Sequence, residues 1–367
     1  MDSTRMKRLI AFVCVSWVVG GLGGPVDFPV PSEVVSEPAA GYTTNGVKAV
    51  WIEGVPWKGK PTRVFAYYAL PEGASPDAKV PGIVLVHGGW GTAFASWVKT
   101  WNDRGYAAIA MDTCGGVPGE LSHGPEHPRH AGSGPNGWGR FEEADLPVED
   151  QWPYHAVEAV IRAHTFLRNL PEVDASRIGV TGISWGGFLT SIVCGVDSRF
   201  AFAAPVYGCG NLRRHSVWSK EIGQRWDALW DPSHYVTNCL VPTLWCTGTN
   251  DHFFPLDSFV ATARASGNPL FSIKLRMPHG HPPAGDPPEI EAFADSVVKG
   301  GPKLTARTVV RTEWLSTESS DAVWEHRPFV VTTNRPASAT LSLRNTVTDN
   351  GLVLTALWAP FEKAEEK

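Results

Sequence analysis

Six short apolar runs, each followed by a longer stretch, constrain the fold of this 367-residue chain more than any other feature. Continuous apolar runs are typical of strands that are covered on both faces of a parallel sheet, and the stretches between them are long enough for crossover helices. The sequence therefore predicts an α/β fold, with a mostly parallel twisted sheet and helices on both faces. The predicted strands are 83–86, 107–111, 178–181, 200–206, 243–246 and 271–277.

Two of the intervening stretches carry clear helix signals. Residues 153–169 repeat apolar side chains at helical spacing and begin with Pro153, which suits the first turn of a helix. Residues 287–301 begin with prolines and acidic residues and end with a lysine and two glycines, as helix start and stop signals require. Upstream, two β-rich runs flank "WKGKP" and predict a hairpin.

The two ends of the chain differ in character from the central region. Lys7 and Arg8 precede a short apolar run and then small residues, so 1–24 is predicted to be a secretory signal peptide. That run is well short of the ~20 residues that span a bilayer, so we expect a periplasmic or extracellular protein without stable membrane insertion. The predicted units are a signal peptide at 1–24, an extended leader at 25–45, the main α/β domain at 46–301, and a β-rich appendage with a tail at 302–367.

Charge and cysteine content exclude some classes of partner. The net charge is −5 and no basic run is present, which argues against a nucleic-acid surface. The six cysteines include no CxxC pair, so a zinc ribbon or a redox motif is not expected. An export compartment would permit one or two disulfides with at least one thiol left over, but the spacing does not give their connectivity.

The stretch "GVTGISWGGFLTSIV" combines a strand, a sharp turn and a helix pattern around Ser184. This is the context that a G-x-S-x-G nucleophile elbow requires, because the turn strains the backbone and leaves no room for side chains two residues away on either side. A tight turn with an incidental serine is the alternative. The context favours Ser184 as a nucleophile.

A serine nucleophile needs a base and an orienting acid. In this architecture both follow the serine along the chain, first an Asp or Glu and then a His. "VPTLWCTGTNDHFFP" ends a strand with Asp251, and "LFSIKLRMPHGHPP" ends the next with two histidines. We favour His281 as the base, because the preceding glycine gives a flexible approach and the farther position reaches across to Ser184. His279 is the alternative.

Backbone donors for an oxyanion are expected in "GIVLVHGGWG", at the end of the first parallel strand. We assign the N–H groups of Gly89 and Trp185, with Trp90 as the alternative to Gly89. Trp90 and Trp185 are placed near the pocket by their motif positions, and Trp138 is placed there as a hypothesis.

Residues 114–150 form a long insertion that is rich in Gly and Pro and lacks helical periodicity. Its histidines His123, His127 and His130 have the residue type of metal ligands, but two prolines interrupt them, so a solvated loop is the preferred interpretation. No cofactor and no metal are expected, since a triad needs neither. Asp112 is interpreted as a structural carboxylate at a strand end.

The chain resembles the α/β-hydrolase family, on "RVFAYYALP", "VPGIVLVHGGWG", "VDASRIGVTGISWGG", "GTNDHFFP" and "HGHPP…PPEIEAFADSVVKGG". Within it, these motifs are similar to the acetyl xylan esterase, dienelactone hydrolase and prolyl-oligopeptidase-like branch, over about 45–300. The resemblance implies Ser184 as nucleophile, Asp251 as acid, His281 as base, and oxyanion donors at Gly89 and Trp185. The insertion at 114–150 has no obvious counterpart in that family that would fix a substrate.

These observations together predict a secreted serine hydrolase that cleaves carboxylic esters, with acetyl groups on polysaccharides as the expected substrates. A peptidase of the same fold is the alternative, and the sequence shows no propeller domain of the kind that prolyl-type peptidases use to admit small peptides. A carbohydrate-binding protein with a decayed site is the second alternative, against which the complete Ser, Asp, His order argues.

Overall fold

The computed structural model describes residues 24–119, 127–280, 287–304, 312–316, 330–332, 342–347 and 351–358. The predicted signal peptide lies outside the described residues except for its last residue, and so do His123 and His281. Within the described residues, no helix is both long enough and apolar enough to cross a bilayer.

A mostly parallel sheet forms the centre of the molecule, as predicted. Its strands follow the order β1-β2-β3-β5-β4-β6-β7-β8-β9; those from β5 to β9 in this order run parallel, and β1, β2 and β3 join them antiparallel. The strands are β1 Ser36–Pro38, β2 Lys48–Glu53, β3 Arg63–Ala69, β4 Val80–Val86, β5 Ala107–Met111, β6 Val173–Ile183, β7 Phe202–Val206, β8 Leu244–Asn250 and β9 Leu270–Pro278.

Each of the six predicted strands overlaps one of β4 to β9, and the predicted hairpin is the antiparallel pair of β2 and β3. The central strands β5 and β7 are buried at every position, which is why they appear in the sequence as continuous apolar runs.

The helices follow the strands as crossover connections. Both predicted helices are present, at 152–168 and 288–298. The first is buried at all but three of its 17 positions, because it is enclosed between the sheet and neighbouring segments. The helices are α1 Ala95–Asp103, α2 Trp152–Arg168, α3 Trp185–Val196, α4 Leu212–His215, α5 Gln224–Trp230, α6 Leu256–Ala265 and α7 Pro288–Val298.

The segment predicted as an extended leader packs against the α/β domain. Phe28 is buried and stacks on Tyr154 of α2, with 5.4 Å between the ring centroids. The Arg199 guanidinium donates a hydrogen bond of 3.1 Å to the Pro31 carbonyl. These contacts hold the chain before β1 against the core.

A second, antiparallel sheet with the order β11-β10-β12-β13 lies near the carboxyl end. Hydrogen bonds connect its last strand to the domain. The Ile273 N–H on β9 donates to Thr355 Oγ1 at 2.8 Å, and the Val353 N–H donates to Glu289 Oε1 on α7 at 2.8 Å. The predicted boundary at 302 stays a prediction. The strands are β10 Thr312–Ser316, β11 Val330–Thr332, β12 Ser342–Val347 and β13 Val353–Trp358.

Candidate active site

Ser184 lies at the junction between β6 and α3, in a backbone conformation that L-residues rarely adopt. Its φ is 58° and its ψ is −121°. The Ser184 N–H donates to the Val206 carbonyl at 2.9 Å, and the Ser184 carbonyl accepts from the Phe188 N–H at 2.9 Å. These bonds fix the turn, so the serine projects from the carboxyl edge of the sheet, as a nucleophile elbow does.

The glycines around Ser184 are required because there is no space for a Cβ. A Cβ on Gly186 would lie 2.0 Å from the Val86 carbonyl oxygen, and one on Gly182 would lie 2.4 Å from the Gly186 carbonyl oxygen. Both distances are well below van der Waals contact. The close approach of the turn to β4 therefore explains Gly186, and the tightness of the turn itself explains Gly182.

Asp251 follows β8 at the same edge of the sheet and is buried, with 2% of its surface exposed. Its Oδ1 accepts hydrogen bonds from the N–H groups of Phe253 at 2.9 Å and Phe254 at 3.0 Å. Its Oδ2 lies 3.0 Å from Nδ1 of His279. The two backbone donors fix the carboxylate so that its second oxygen faces the imidazole.

His279 connects the acid to the serine, since its Nε2 lies 2.9 Å from Ser184 Oγ. The carboxylate can only accept, so Nδ1 carries the proton and Nε2 is left to accept the serine hydroxyl hydrogen. The structure therefore brings together Ser184, Asp251 and His279.

The preference for His281 is corrected by this geometry. His281 lies outside the described residues, and the imidazole in contact with both partners belongs to the alternative, His279. The reason is the pairing of β8 with β9. Its register shifts between Gly248 and Asn250, so that Asn250 pairs with Pro278 and the next residues of both strands stand side by side. No farther position is needed to reach Ser184.

Tyr207 is a residue at this site that the sequence reasoning missed. It follows β7 with a φ of 63°, and its ring centroid lies 4.5 Å from that of His279. Its hydroxyl donates to the Pro278 carbonyl at 3.1 Å, while burial raises the pKa of that hydroxyl. Tyr207 thus holds the turn that carries the imidazole. Its position directly after a predicted strand, at the edge where Ser184 and Asp251 lie, was the available signal.

The Gly88–Gly89 loop packs directly beside the serine. A Cβ on Gly88 would lie 3.1 Å from Ser184 Cβ. His87 fixes the loop, because its buried Nδ1–H donates to the Gly88 carbonyl at 2.8 Å and its Nε2 accepts from the Thr113 N–H at 3.0 Å. On the other side of Ser184, Trp185 opens α3, where a backbone N–H has no acceptor within the helix.

Comparison with solved structures shows which fold this is. The chain superposes on acetyl xylan esterase from Paenibacillus sp. R4 with a TM-score of 0.56 at 22% identity, over 72% of this chain and 88% of that chain. It superposes on acetyl xylan esterase 1 from Thermoanaerobacterium sp. JW/SL YS485 with a TM-score of 0.52 at 18% identity, over 68% and 84%. The fold is that of an α/β-hydrolase.

Sequence comparison finds similarity to peptidases. The profile of the prolyl oligopeptidase family, Peptidase_S9, matches residues 137–291. Probable dipeptidyl-peptidase 5 from Emericella nidulans is 26% identical over 190 residues, which cover 50% of this chain and 23% of that protein. The chain spans between 15% and 23% of the curated relatives that it matches. The similarity to peptidases thus covers part of this chain and less than a quarter of each of these relatives.

Aromatic rings lie around the edge of the sheet where Ser184 and His279 meet. A Cβ on Gly89 would lie 3.1 Å from Trp185 Cδ1 and 3.7 Å from Trp138 Cγ, so both tryptophans lie beside the Gly88–Gly89 loop. Trp185 also contacts Trp218 at 4.9 Å between centroids. The sequence reasoning missed Trp218, which has no motif position, and its contact is formed only by the tertiary fold.

Two further ring contacts connect Trp218 to His279. Trp218 stacks on Phe253 at 5.6 Å, and Phe253 meets the His279 ring at 4.9 Å. Trp90 has a φ of 62° and 54% of its surface is exposed, so it presents an aromatic face to solvent beside the Gly88–Gly89 loop.

The described residues of the insertion contact the rest of the domain at several points. His127 Nε2 donates to the Trp90 carbonyl at 3.0 Å. His130 packs on Trp51 at 4.5 Å between centroids, and burial together with the Arg63 charge lowers its pKa to about 4. The interpretation as a solvated loop is therefore wrong for His130. Among the described residues, no three His, Cys, Asp or Glu side chains are grouped in a way that could hold a metal ion.

Asp112 is engaged in backbone hydrogen bonds at the start of the insertion. Its Oδ1 accepts from the Cys114 N–H at 2.8 Å and the Gly116 N–H at 2.7 Å, and its Oδ2 accepts from the Thr92 hydroxyl at 2.9 Å. These contacts match the interpretation of Asp112 as a structural carboxylate.

Proposed function

We propose that this protein is a secreted serine esterase that cleaves carboxylic esters, with acetyl groups on polysaccharides as its substrates. The observation that supports the proposal is the hydrogen-bonded relay from Asp251 through His279 to Ser184 Oγ, with distances of 3.0 and 2.9 Å. A relay of this geometry makes a weak hydroxyl nucleophilic at neutral pH.

In the proposed reaction, Ser184 Oγ attacks the ester carbonyl while His279 Nε2 takes its proton. The negative charge that develops on the carbonyl oxygen is held by the N–H groups of Gly89 and Trp185, each of which contributes about 3 kcal/mol if it behaves like known oxyanion donors. Asp251 keeps the proton of the imidazole on Nδ1 and stabilises the imidazolium.

The tetrahedral intermediate then collapses. The imidazolium returns its proton to the alcohol oxygen, which leaves, and an acyl-serine remains. Water, deprotonated by the neutral imidazole, attacks the acyl-serine by the same route in reverse, so that the carboxylic acid is released and Ser184 regains its hydrogen.

The ester assignment is supported by the similarity to two acetyl xylan esterases over most of their length. Peptide hydrolysis by the same relay is the second candidate, and the match to the prolyl oligopeptidase family over 137–291 favours it. Export of the protein stays part of the proposal, because the predicted signal peptide lies outside the described residues.

A substrate panel with a nucleophile variant tests the proposal. Acetylated xylan and p-nitrophenyl acetate are compared with dipeptide p-nitroanilides, and release of acetate or chromophore is followed. We expect turnover of the acetyl esters, and we expect Ser184→Ala to reduce kcat by at least about 10⁴-fold, since the nucleophile is removed. A fluorophosphonate probe should label the native chain and not the variant.

Ser296→Ala is the matched control, because Ser296 lies on α7 and its hydroxyl donates to the Phe293 carbonyl of the same helix. It should retain full activity. Preferential cleavage of the anilides would replace the esterase proposal by the peptidase candidate, and unaltered turnover by Ser184→Ala would refute both.

A further inference from the structure

Trp90 places a large aromatic side chain in solvent beside the candidate active site. Its exposed fraction is 54%, and among the residues whose burial the structure describes it is the one exposed Phe, Trp or Tyr. A single exposed apolar side chain is ordinary on a protein surface and needs no special explanation. Trp90 differs because a strained backbone carries its side chain, in the turn that packs beside Ser184.

The strain follows from the position of Trp90 in the turn Gly88–Gly91. The Gly91 N–H donates to the Gly88 carbonyl at 3.2 Å, and Trp90 is the third residue of the turn, with a φ of 62°. A positive φ at this position favours Gly or Asn, because a Cβ is crowded there. A glycine would fill the position without steric cost and would also remove the exposed indole. Stability and solubility therefore do not account for a tryptophan at this point.

Contacts on both sides of the turn hold the strained residue in place. His127 Nε2 donates to the Trp90 carbonyl at 3.0 Å, and the Nδ1–H of His87 donates to the Gly88 carbonyl at 2.8 Å. A Cβ on Gly91 would lie 3.0 Å from His87 Nδ1, so the turn lies directly on that imidazole. Strain that surrounding contacts maintain in this way is typical of positions that bind a ligand.

The turn lies within reach of an ester that is bound at Ser184. A Cβ on Gly88 would lie 3.1 Å from Ser184 Cβ, and the Cα of Trp90 is no more than about 7 Å from that of Gly88, since it follows two residues later. In an O-acetylated xylose unit, a single oxygen atom separates the sugar ring from the carbonyl carbon. The Trp90 indole can therefore reach the ring of a sugar whose acetyl group lies at Ser184.

The two sides of the turn differ in the room that they leave for a substrate. A Cβ on Gly89 would lie 3.1 Å from Trp185 Cδ1 and 3.7 Å from Trp138 Cγ, and Trp185 is buried. This inner side is closely packed and suits a small acyl group. The side of Trp90 is open to solvent, so the larger alcohol part of the ester has room only in that direction.

We propose that the Trp90 indole is the stacking platform for a sugar ring on the alcohol side of the scissile ester. The inference rests on the proposed function, and it names the residue that recognises the polysaccharide. The C–H groups of a pyranose ring form an apolar face that packs on an aromatic plane, while the hydroxyl groups at the edge of the ring stay in water. An indole on a fixed turn loses little conformational freedom when this ring binds.

Two acetyl esters that differ only in their alcohol test the platform. Release of acetate from an acetylated methyl xyloside is compared with its release from ethyl acetate, which has the same acyl group and no ring. p-Nitrophenyl acetate is avoided here, because its own aromatic ring can stack on the indole. We expect Trp90→Gly to lower the ratio of kcat/KM for the xyloside to kcat/KM for ethyl acetate by about tenfold, as expected for one aromatic contact. The change should lie mainly in KM for the xyloside, since stacking is the same in the ground state and the transition state.

Two further variants separate the aromatic face from the backbone. Trp90→Phe keeps an aromatic face and should hold the ratio within a few-fold of its native value. Trp90→Asn tolerates the positive φ without an aromatic face, so it should lower the ratio as Trp90→Gly does. All three variants keep the backbone N–H of residue 90, and the ratio is therefore independent of any contact of that group with the oxyanion.

The possible outcomes distinguish this inference from the proposed function. An unchanged ratio in both Trp90→Gly and Trp90→Asn would overturn the inference and leave the esterase intact. A lower Tm in both variants with an unchanged ratio would show that the indole is kept for structure. A loss confined to dipeptide p-nitroanilides would assign the ring to a peptide instead of a sugar. If the native chain hydrolyses neither acetyl ester, the proposed function fails and this inference fails with it.

Discussion

Ser184 is held in a strained backbone conformation, which by itself does not stabilise the fold. At φ 58° and ψ −121°, a residue with a Cβ is strained by about 1–3 kcal/mol, and the hydrogen bonds of its N–H and carbonyl maintain the turn. The strained turn therefore lowers the stability of the fold while it presents the Ser184 hydroxyl, as is expected if Ser184 is the nucleophile.

This strain gives a prediction that does not depend on activity. Ser184→Gly should be more stable than Ser184→Ala by about 1 kcal/mol in the free energy of unfolding, because glycine adopts this conformation without steric cost. The same pair at Ser296 within α7 should show the opposite order, since glycine destabilises a helix interior. Thermal unfolding of the four variants measures both differences. If the Gly variant were the less stable of the two at both sites, Ser184 would not be strained in this way.

The choice between two histidines gives the second prediction at this scale. His279→Ala should lose about 10⁴-fold in kcat, because its imidazole contacts both Ser184 Oγ and Asp251 Oδ2. His281→Ala is the matched control two residues away and should stay within a few-fold of the native rate. Initial rates on p-nitrophenyl acetate decide the matter, and the reverse ranking would restore His281 as the base.

What the sequence predicts at the level of single residues follows from local constraints. Ser184 and Asp251 could be predicted because each ends an apolar strand, and parallel strands end at one edge. The prediction of His281 as the base was wrong because the choice between His279 and His281 depends on the register of β8 against β9, a pairing between two distant segments. Tyr207 carries no motif, and only the folded chain shows that its hydroxyl holds the Pro278 carbonyl.

At the scale of elements, periodic and buried segments were predictable and irregular ones were not. The strands β4 to β9 can be recognised in the sequence by continuous apolar residues, and the helices α2 and α7 by helically spaced ones. The short strand β1 and the four-residue helix α4 have too few residues for any period to be recognised. The described residues of the insertion make tertiary contacts, such as the hydrogen bond from His127 to Trp90, which no local pattern encodes.

Helix α2 contains a buried carboxyl group whose protonation should make stability depend on pH. Glu158 is fully buried, and burial raises its pKa from 4.5 to about 8, although the neighbouring Arg162 acts in the opposite direction. Its Oε2 accepts from Arg162 Nε at 3.2 Å, whereas Oε1 has no hydrogen-bond partner among the described residues. The folded state therefore favours the protonated form.

The sign of the effect is fixed by this direction. Since the folded pKa is above the ordinary value, the stabilising contribution is complete below about pH 4.5 and is lost as the pH rises through about 8. Glu158→Gln, which keeps the shape without the charge, should match the native Tm near pH 5 and exceed it near pH 8.5. Scanning fluorimetry at both pH values measures the difference, with the exposed Glu221→Gln as control. A Tm difference that is the same at both pH values would show that Glu158 does not titrate in this way.

At the scale of the whole molecule, a buried carboxylate is one of the groups that join the carboxyl-terminal sheet to the α/β domain. Glu289 on α7 has no exposed surface, pairs with Lys274 of β9 at 3.1 Å, and accepts the Val353 N–H of β13 at 2.8 Å. One side chain thus connects the edge strand of the large sheet, the last helix of the domain and the second sheet. A purely apolar contact would not fix the position of β13 in this directional way.

Removal of this carboxylate should loosen the attachment of the second sheet. Glu289→Ala leaves a buried N–H and a partly buried ammonium without their acceptor, so we expect a loss of about 2 kcal/mol in unfolding free energy. Trypsin should also release a fragment from the region after 302 sooner than in the native chain. Glu291→Ala is the control on the same helix, because its pair with Arg104 is partly exposed and should contribute less than about 1 kcal/mol. Denaturant unfolding and timed proteolysis of both variants supply the two measurements. Equal losses of stability, or an unchanged rate of release in Glu289→Ala, would mean that β13 is held by other contacts.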